Sequence, residues 1–159
     1  MSALEIFPLN KRPELAETCA AWSFGSWGCH IETYSLEKSI DGYAKRAANT
    51  NEIPLTWVGM IDKDIVGMIS LVECDHDDHK DLSPWLASMF VHPDFLRKGY
   101  ASKLIQHLHK EAKDLGYEHL YLFTPDMMDL YEKQGWKVTG KVRDTRGFYD
   151  HEKLMEIDL

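Results

Sequence analysis

The sequence predicts an α/β fold in a single domain over residues 1–159, with a mixed central β-sheet flanked by about four helices. Three observations lead there. Two β-rich runs, 55–61 and 65–72, are joined by Asp62-Lys63-Asp64, which reads as an antiparallel hairpin. A long amphipathic helix follows residue 99, where Ala101, Leu104, Ile105, Leu108, Ala112 and Leu115 form one apolar stripe at helical spacing. Beyond it, short strands alternate with a short helix. No repeat, low-complexity tract or Pro/Gly/Ser-rich linker divides the chain, so one core is expected.

In chain order, residues 4–9 read as a short strand. Pro13 opens a helix to about Phe24, with Leu15, Cys19 and Trp22 on one face. The glycine-bearing stretch 25–31 is a loop. Ser35 caps a second helix to about Ala48, with Lys38 where a capping box would have an acid. The hairpin is followed by a polar, acidic loop, 73–83, and a third strand, 85–91, closed by Pro93. The long helix ends at Gly116, where a left-handed cap belongs. Then come a strand at 119–123, a helix at 127–134 ended by Gly135, and strands at 136–142 and 153–158.

Hydrophobic residues make up 44% of the chain and charged residues 28%, as in an ordinary soluble globular protein. The longest apolar runs are too short to span a bilayer, and the N-terminus lacks the basic-then-apolar plan of a signal peptide. Cys19, Cys29 and Cys74 have no zinc-type spacing and cannot all pair with one another. A reducing cytoplasm is the compartment they point to. The net charge of −8 argues against nucleic acid as a partner, since phosphate neutralisation needs basic surface. The charge is nonetheless uneven. Arg97, Lys98, Lys103, Lys110 and Lys113 cluster around the start and length of the long helix, which suits an anion there or simply a solvated face.

The chemistry concentrates in 90–105, FVHPDFLRKGYASKLI. A strand ends at Val91, Pro93 and Asp94 turn the chain, and a helix starts near Gly99. A helix start exposes backbone N–H groups that have no internal partner, at the positive end of the helix dipole. Gly99 lets a ligand approach the backbone, Ala101 is small, Ser102 adds a hydroxyl, and Arg97 and Lys98 add charge. Together these make a cradle for an anion such as a pyrophosphate. With a single glycine, the segment is neither a Walker loop nor a dinucleotide fingerprint.

VHPDFLRKGYASKLIQHL resembles the central motif of the GNAT superfamily of acetyl-CoA-dependent N-acetyltransferases, with Val91, Pro93, Phe95, Gly99 and Ala101 at matching positions. Leu96 stands where that family usually has Gln or Arg, and Arg97 follows one place later. The resemblance implies a GNAT-like fold in which Leu96, Arg97, Lys98, Gly99, Tyr100, Ala101 and Ser102 cradle the pyrophosphate of acetyl-CoA. It also implies that the strand around Met89 and Val91 pairs with the pantetheine arm. LYEKQGW, 130–136, is similar to a second family motif whose tyrosine protonates the departing thiolate, a role that falls to Tyr131. A phenol of pKa about 10 suits that donation. Thr124 occupies a cofactor-contact position where the family often has Asn.

The reaction this implies is direct attack of a neutral primary amine on the thioester in a ternary complex, with no covalent enzyme intermediate and no metal. Glu73, at the end of the 65–72 strand, is the expected proton acceptor; a solvated loop acid is the other reading of it. Cys74 reads as core or bystander. The acidic run 73–81 suits a cationic acceptor, such as a polyamine, an aminoglycoside or a peptide N-terminus. The aromatic-rich loop 22–30 should lie beside the acceptor. His76 and His79 sit among acids but match no standard zinc pattern. A monomer or homodimer is expected, with no membrane partner. A non-catalytic acyl-CoA sensor is the alternative to an enzyme, and Tyr131 favours the enzyme.

Overall fold

The computed structural model describes residues 2–159. Seven strands, β1 (Glu5–Pro8), β2 (Leu55–Ile61), β3 (Asp64–Val72), β4 (Trp85–Val91), β5 (His119–Thr124), β6 (Lys137–Arg143) and β7 (His151–Asp158), form one sheet in the order β1-β2-β3-β4-β5-β7-β6. Four α-helices accompany it: α1 (Ala16–Ser26), α2 (Leu36–Ala48), α3 (Tyr100–Asp114) and α4 (Met128–Glu132). The mixed sheet and the helix number match the expected fold. The expected first helix is preceded by a separate 3-10 turn, Pro13–Leu15, before the α-helix proper begins at Ala16.

Strand periodicity assigns the two faces. Trp57, Ile69 and Leu71 point to one side and pack with Leu104, Ile105 and Leu108 of α3, whose apolar stripe the sequence displays. Val58 and Met68, offset by one residue, point to the other and pack with Cys19, Ala20 and Tyr43 of α1 and α2. Gly67 permits the close approach of α3 and β4: a Cβ there would lie 2.6 Å from the Phe90 carbonyl oxygen and 3.0 Å from Leu104. The Ser35 hydroxyl accepts from the Lys38 N–H at 3.2 Å, so α2 is capped without the acid of a capping box.

Two features of β4 position the site. All neighbouring strands pair antiparallel except β4 and β5, which run parallel and share only one register pair, Trp85↔Tyr121. Beyond that pair the strands separate, so the sheet opens toward their C-terminal ends. On its other edge β4 carries a bulge: Met68 pairs with Phe90 and Ser70 with Ala87, so Ile69 faces two residues, Ser88 and Met89. Ser88 takes φ 51°, and the extra residue bends β4 where it leaves β5.

Candidate active site

A cavity of about 700 Å³ fills the opening between β4 and β5. Leu86 to Val91 form one wall and Leu122 to Asp126 the other. At one end lie Leu96 and Ala101, at the start of α3. Tyr131 of α4 lines the middle wall, and the loop after α1 contributes Trp27, Gly28 and Tyr34. The connection from β6 to β7 supplies Arg146, Phe148 and Tyr149, and β7 supplies Glu152.

The cradle at the start of α3 has the form that an anion site requires. Gly99 is the N-cap residue with φ 80°, and no side chain caps the helix, which leaves its first-turn N–H groups without a side-chain acceptor. Arg97 also lies in the left-handed region (φ 63°), and the two residues together turn the chain tightly from β4 into α3. Arg97 and Lys98 are exposed and enter no ion pair among the described residues, while Tyr100 and Ser102 are half-buried in the first turn. Leu96 is 53% exposed, so the apolar side chain at the position expected to be polar leaves the backbone accessible. Nothing lies within 4 Å of where a Gly99 Cβ would be, so the space above it is open to a ligand. These residues fit an anionic cofactor.

Met89 and Val91 line the cleft from β4. Thr124 lines it from β5, and its hydroxyl accepts from the Met127 N–H at 3.1 Å, tying the turn that leads into α4. Tyr131 is 6% exposed, and its hydroxyl makes no hydrogen bond within the described residues. Burial, together with the negative charge of Asp75, pushes its phenol above the ordinary value and keeps it protonated. The structure does not bring Glu73 into this assembly. β3 ends at Val72, Glu73 is exposed, and it is absent from the cleft wall. Asp75, two residues on, lines the cleft instead. Desolvation of its carboxyl pushes the pKa up to about 7, with the Arg46 charge opposing that rise and the Glu152 charge adding to it.

Five charged residues line the cleft, Arg46, Asp75, Asp126, Arg146 and Glu152, and of these only Asp75 belongs to a stretch the sequence marks, the acidic run 73–81. Glu152 is 3% exposed, and its Oε2 has no hydrogen-bond partner. Arg146 stands 3.7 Å from its other oxygen, too far to compensate for burial, and the Glu152 pKa rises to about 7. Asp144 differs. Burial disfavours its charge as well, but it accepts from the N–H groups of Arg146, Phe148 and Tyr149 at 2.8–2.9 Å, and its pKa is lowered. Those bonds hold the β6–β7 loop over the cleft with Phe148 and Tyr149 half-exposed at its mouth.

The raised Glu152 pKa has a consequence for stability. Protons bind the folded state more tightly than the unfolded one, so this group supports folding at low pH. That support is lost as pH rises from the ordinary carboxyl value of 4.5 through about 7. Glu152→Gln is expected to raise the melting temperature by several degrees at pH 8 and to change it little at pH 4, as read by thermal denaturation at both.

The acidic loop after β3 is tied down locally. His76 is buried; its Nε2 donates to the Arg143 carbonyl at 2.7 Å, and its Nδ1 accepts from the Asp78 N–H at 3.1 Å. Asp78 accepts twice from Arg143, at 3.0 and 3.3 Å. Both nitrogens of His76 are therefore occupied in holding the loop on β6. Among the described residues no group of three or more His, Cys, Asp or Glu side chains is placed to hold a metal ion.

The sequence model of the Acetyltransferase (GNAT) family matches residues 14–136, from before α1 through Trp136. The chain belongs to the GNAT family. Its fold is shared with solved structures of low sequence identity. An N-acetyltransferase from Staphylococcus aureus Mu50 superposes with a TM-score of 0.73 at 18% identity, over 99% of each chain. An aminoglycoside 6'-N-acetyltransferase complexed with coenzyme A superposes with a TM-score of 0.73 at 16% identity, over 98% of this chain and 96% of that one. Human N-acetyltransferase 8 is 29% identical over 89 residues, which span 54% of this chain and 39% of that protein. In this GNAT chain the matched segment carries β2–β4, the cradle, α3 and Tyr131, while Glu152 and the loop over the cleft lie beyond it. No helix of the described residues is long and apolar enough to cross a membrane.

Proposed function

We propose that this GNAT chain transfers an acetyl group from acetyl-CoA to a primary amine by direct attack within a ternary complex. One observation carries the reading: a single cleft, opened by the parting of β4 and β5, runs from the uncapped start of α3 to Tyr131 and Asp75. Acetyl-CoA supplies an activated thioester. The backbone N–H groups from Leu96 to Ser102, with Arg97 and Lys98, bind its pyrophosphate, and Met89, Val91 and Thr124 hold its pantetheine arm along the parted strands.

Asp75 takes the proton from the acceptor's ammonium, a role for which its position in the cleft suits it better than that of Glu73. The amine nitrogen then forms a bond to the acetyl carbon as the carbon–sulfur bond breaks. The Tyr131 hydroxyl donates to the departing sulfur. The surplus proton on the newly acylated nitrogen restores the tyrosinate to its phenol, leaving a neutral amide and a free thiol while Asp75 gives its proton to solvent. The raised pKa of Tyr131 keeps that donor charged with a proton throughout the neutral range, and the same dry surroundings raise the basicity of the thiolate it meets. The three cysteines are free, which supports a reducing, cytoplasmic setting.

The direct test is release of free thiol from acetyl-CoA in the presence of an amine panel. Thiol release that depends on the amine supports transfer; tight acetyl-CoA binding without turnover across the panel points to a sensor. The pH profile tests Asp75. With a pKa of about 7 the base is unprotonated only above that value, so kcat should rise through pH 7 and level off. Asp75→Asn is expected to abolish that limb and lower kcat by roughly 10²-fold or more. A limb that survives unchanged in the variant would assign the proton to another group.

A further inference from the structure

The cleft contains an ion pair that does not close. Arg46, in the last turn of α2, lines the cleft with Asp75, and its charge reaches the Asp75 carboxyl. Even so, no carboxylate among the described residues lies within ion-pair distance of its guanidinium. The guanidinium is also held rigidly. It donates to the Ser70 hydroxyl at 3.0 Å, Ser70 is hydrogen-bonded to Thr56 at 2.7 Å, and the group sits 4.3 Å above the Tyr43 ring. Of five N–H donors, one is used in this way, so the others are available to a ligand in a fixed orientation. On the acidic side, Glu152 is buried in the cleft wall with an oxygen that has no partner.

We infer that the acceptor is an α-amino acid with an apolar side chain, its carboxylate on Arg46 and its amine between Asp75 and Glu152. This deepens the acetyltransfer reading and rests on it. The charge balance favours a zwitterion over the cationic acceptor expected from the acidic run. Only Asp75 of that run enters the cleft, Asp78 is spent on Arg143, and two guanidinium groups share the cavity with three acids, Asp75, Asp126 and Glu152, of which Asp126 is exposed to solvent. A polyamine would meet those arginines with like charge, whereas an amino acid satisfies both signs at once. Trp27, Tyr34, Phe148 and Tyr149 around the same cavity provide the apolar surface for the side chain.

The test compares acceptors that differ only in the carboxylate: L-phenylalanine against phenethylamine, and L-leucine against isoamylamine, each with acetyl-CoA and thiol detection. The native protein should favour the amino acid in kcat/KM by about 10-fold or more. Arg46→Gln should bring that ratio down to about 1 or below, with Arg46→Lys recovering part of the preference. Preference for the bare amines in the native protein, or a ratio indifferent to Arg46→Gln, overturns the assignment. Calorimetry on the CoA-loaded native protein separates the two readings. If nothing is acetylated but L-phenylalanine binds and phenethylamine does not, the zwitterion site stands and acetyl transfer falls. If neither binds and neither reacts, the zwitterion site falls.

Discussion

Tyr131→Phe is expected to lower turnover by roughly 10²–10⁴-fold while leaving CoA affinity nearly intact. The substitution is unusually informative here because of how the residue is held. The Tyr131 backbone N–H donates to Met127, and its carbonyl accepts from Gln134 and Trp136, so α4 and its following turn keep their geometry without the side chain. The ring is buried and lies 6.0 Å from that of Trp136, and phenylalanine preserves both contacts. The hydroxyl itself has no protein partner, so its removal orphans no buried group. The melting temperature should therefore stay near that of the native protein. A loss of turnover then reads as lost proton donation to the sulfur, measured as kcat beside a CoA titration. Unchanged kcat would remove Tyr131 from the acid role.

Gly99→Glu should weaken CoA binding by on the order of 10²-fold or more. Gly99 holds φ 80°, a conformation that costs a residue with a side chain about 1–2 kcal/mol. Strain alone does not explain the predicted loss, since the space around the missing Cβ is free of protein atoms. The larger effect comes from setting a carboxylate where the helix start, Arg97 and Lys98 would otherwise receive phosphate charge. Gly99→Ala separates the two contributions: it carries the strain without the charge and should bind CoA markedly better than the glutamate variant. Calorimetric titration of both variants with CoA decides it, and native-like binding by Gly99→Glu would place the cradle elsewhere.

What could be read from the sequence, and what could not, follows from the range of the forces involved. The β2–β3 hairpin and α3 are set by local periodicity, and both appear where the pattern puts them. The cradle was legible for the same reason, because a strand end, a turn and a helix start lie consecutively in the chain. Asp75 lines the cleft and Glu73 does not, a placement outside the reach of sequence pattern, because the end of a strand can be read from its pattern but the path of the following loop cannot. Arg46 looks like an ordinary basic residue in the last turn of a helix, where a cation is favourable anyway. Only the packing of α2 against the sheet brings it to Ser70. Glu152 belongs to a strand rich in charge, and its burial depends on strands far away in sequence. The cleft itself is non-local: it exists because β4 and β5 meet at one pair and then part.

That single pair also makes the domain two leaves of an open book, β1–β4 and β5–β7–β6, bound at the spine by Trp85 and Tyr121 and along one face by α3. A donor molecule lying in the gutter would touch both leaves. Any ligand that binds only the closed book stabilises it by mass action, by about 2.7 kcal/mol at a hundred times its dissociation constant. The stability of the folded chain would then follow how fully coenzyme A, with or without its acetyl group, occupies the gutter.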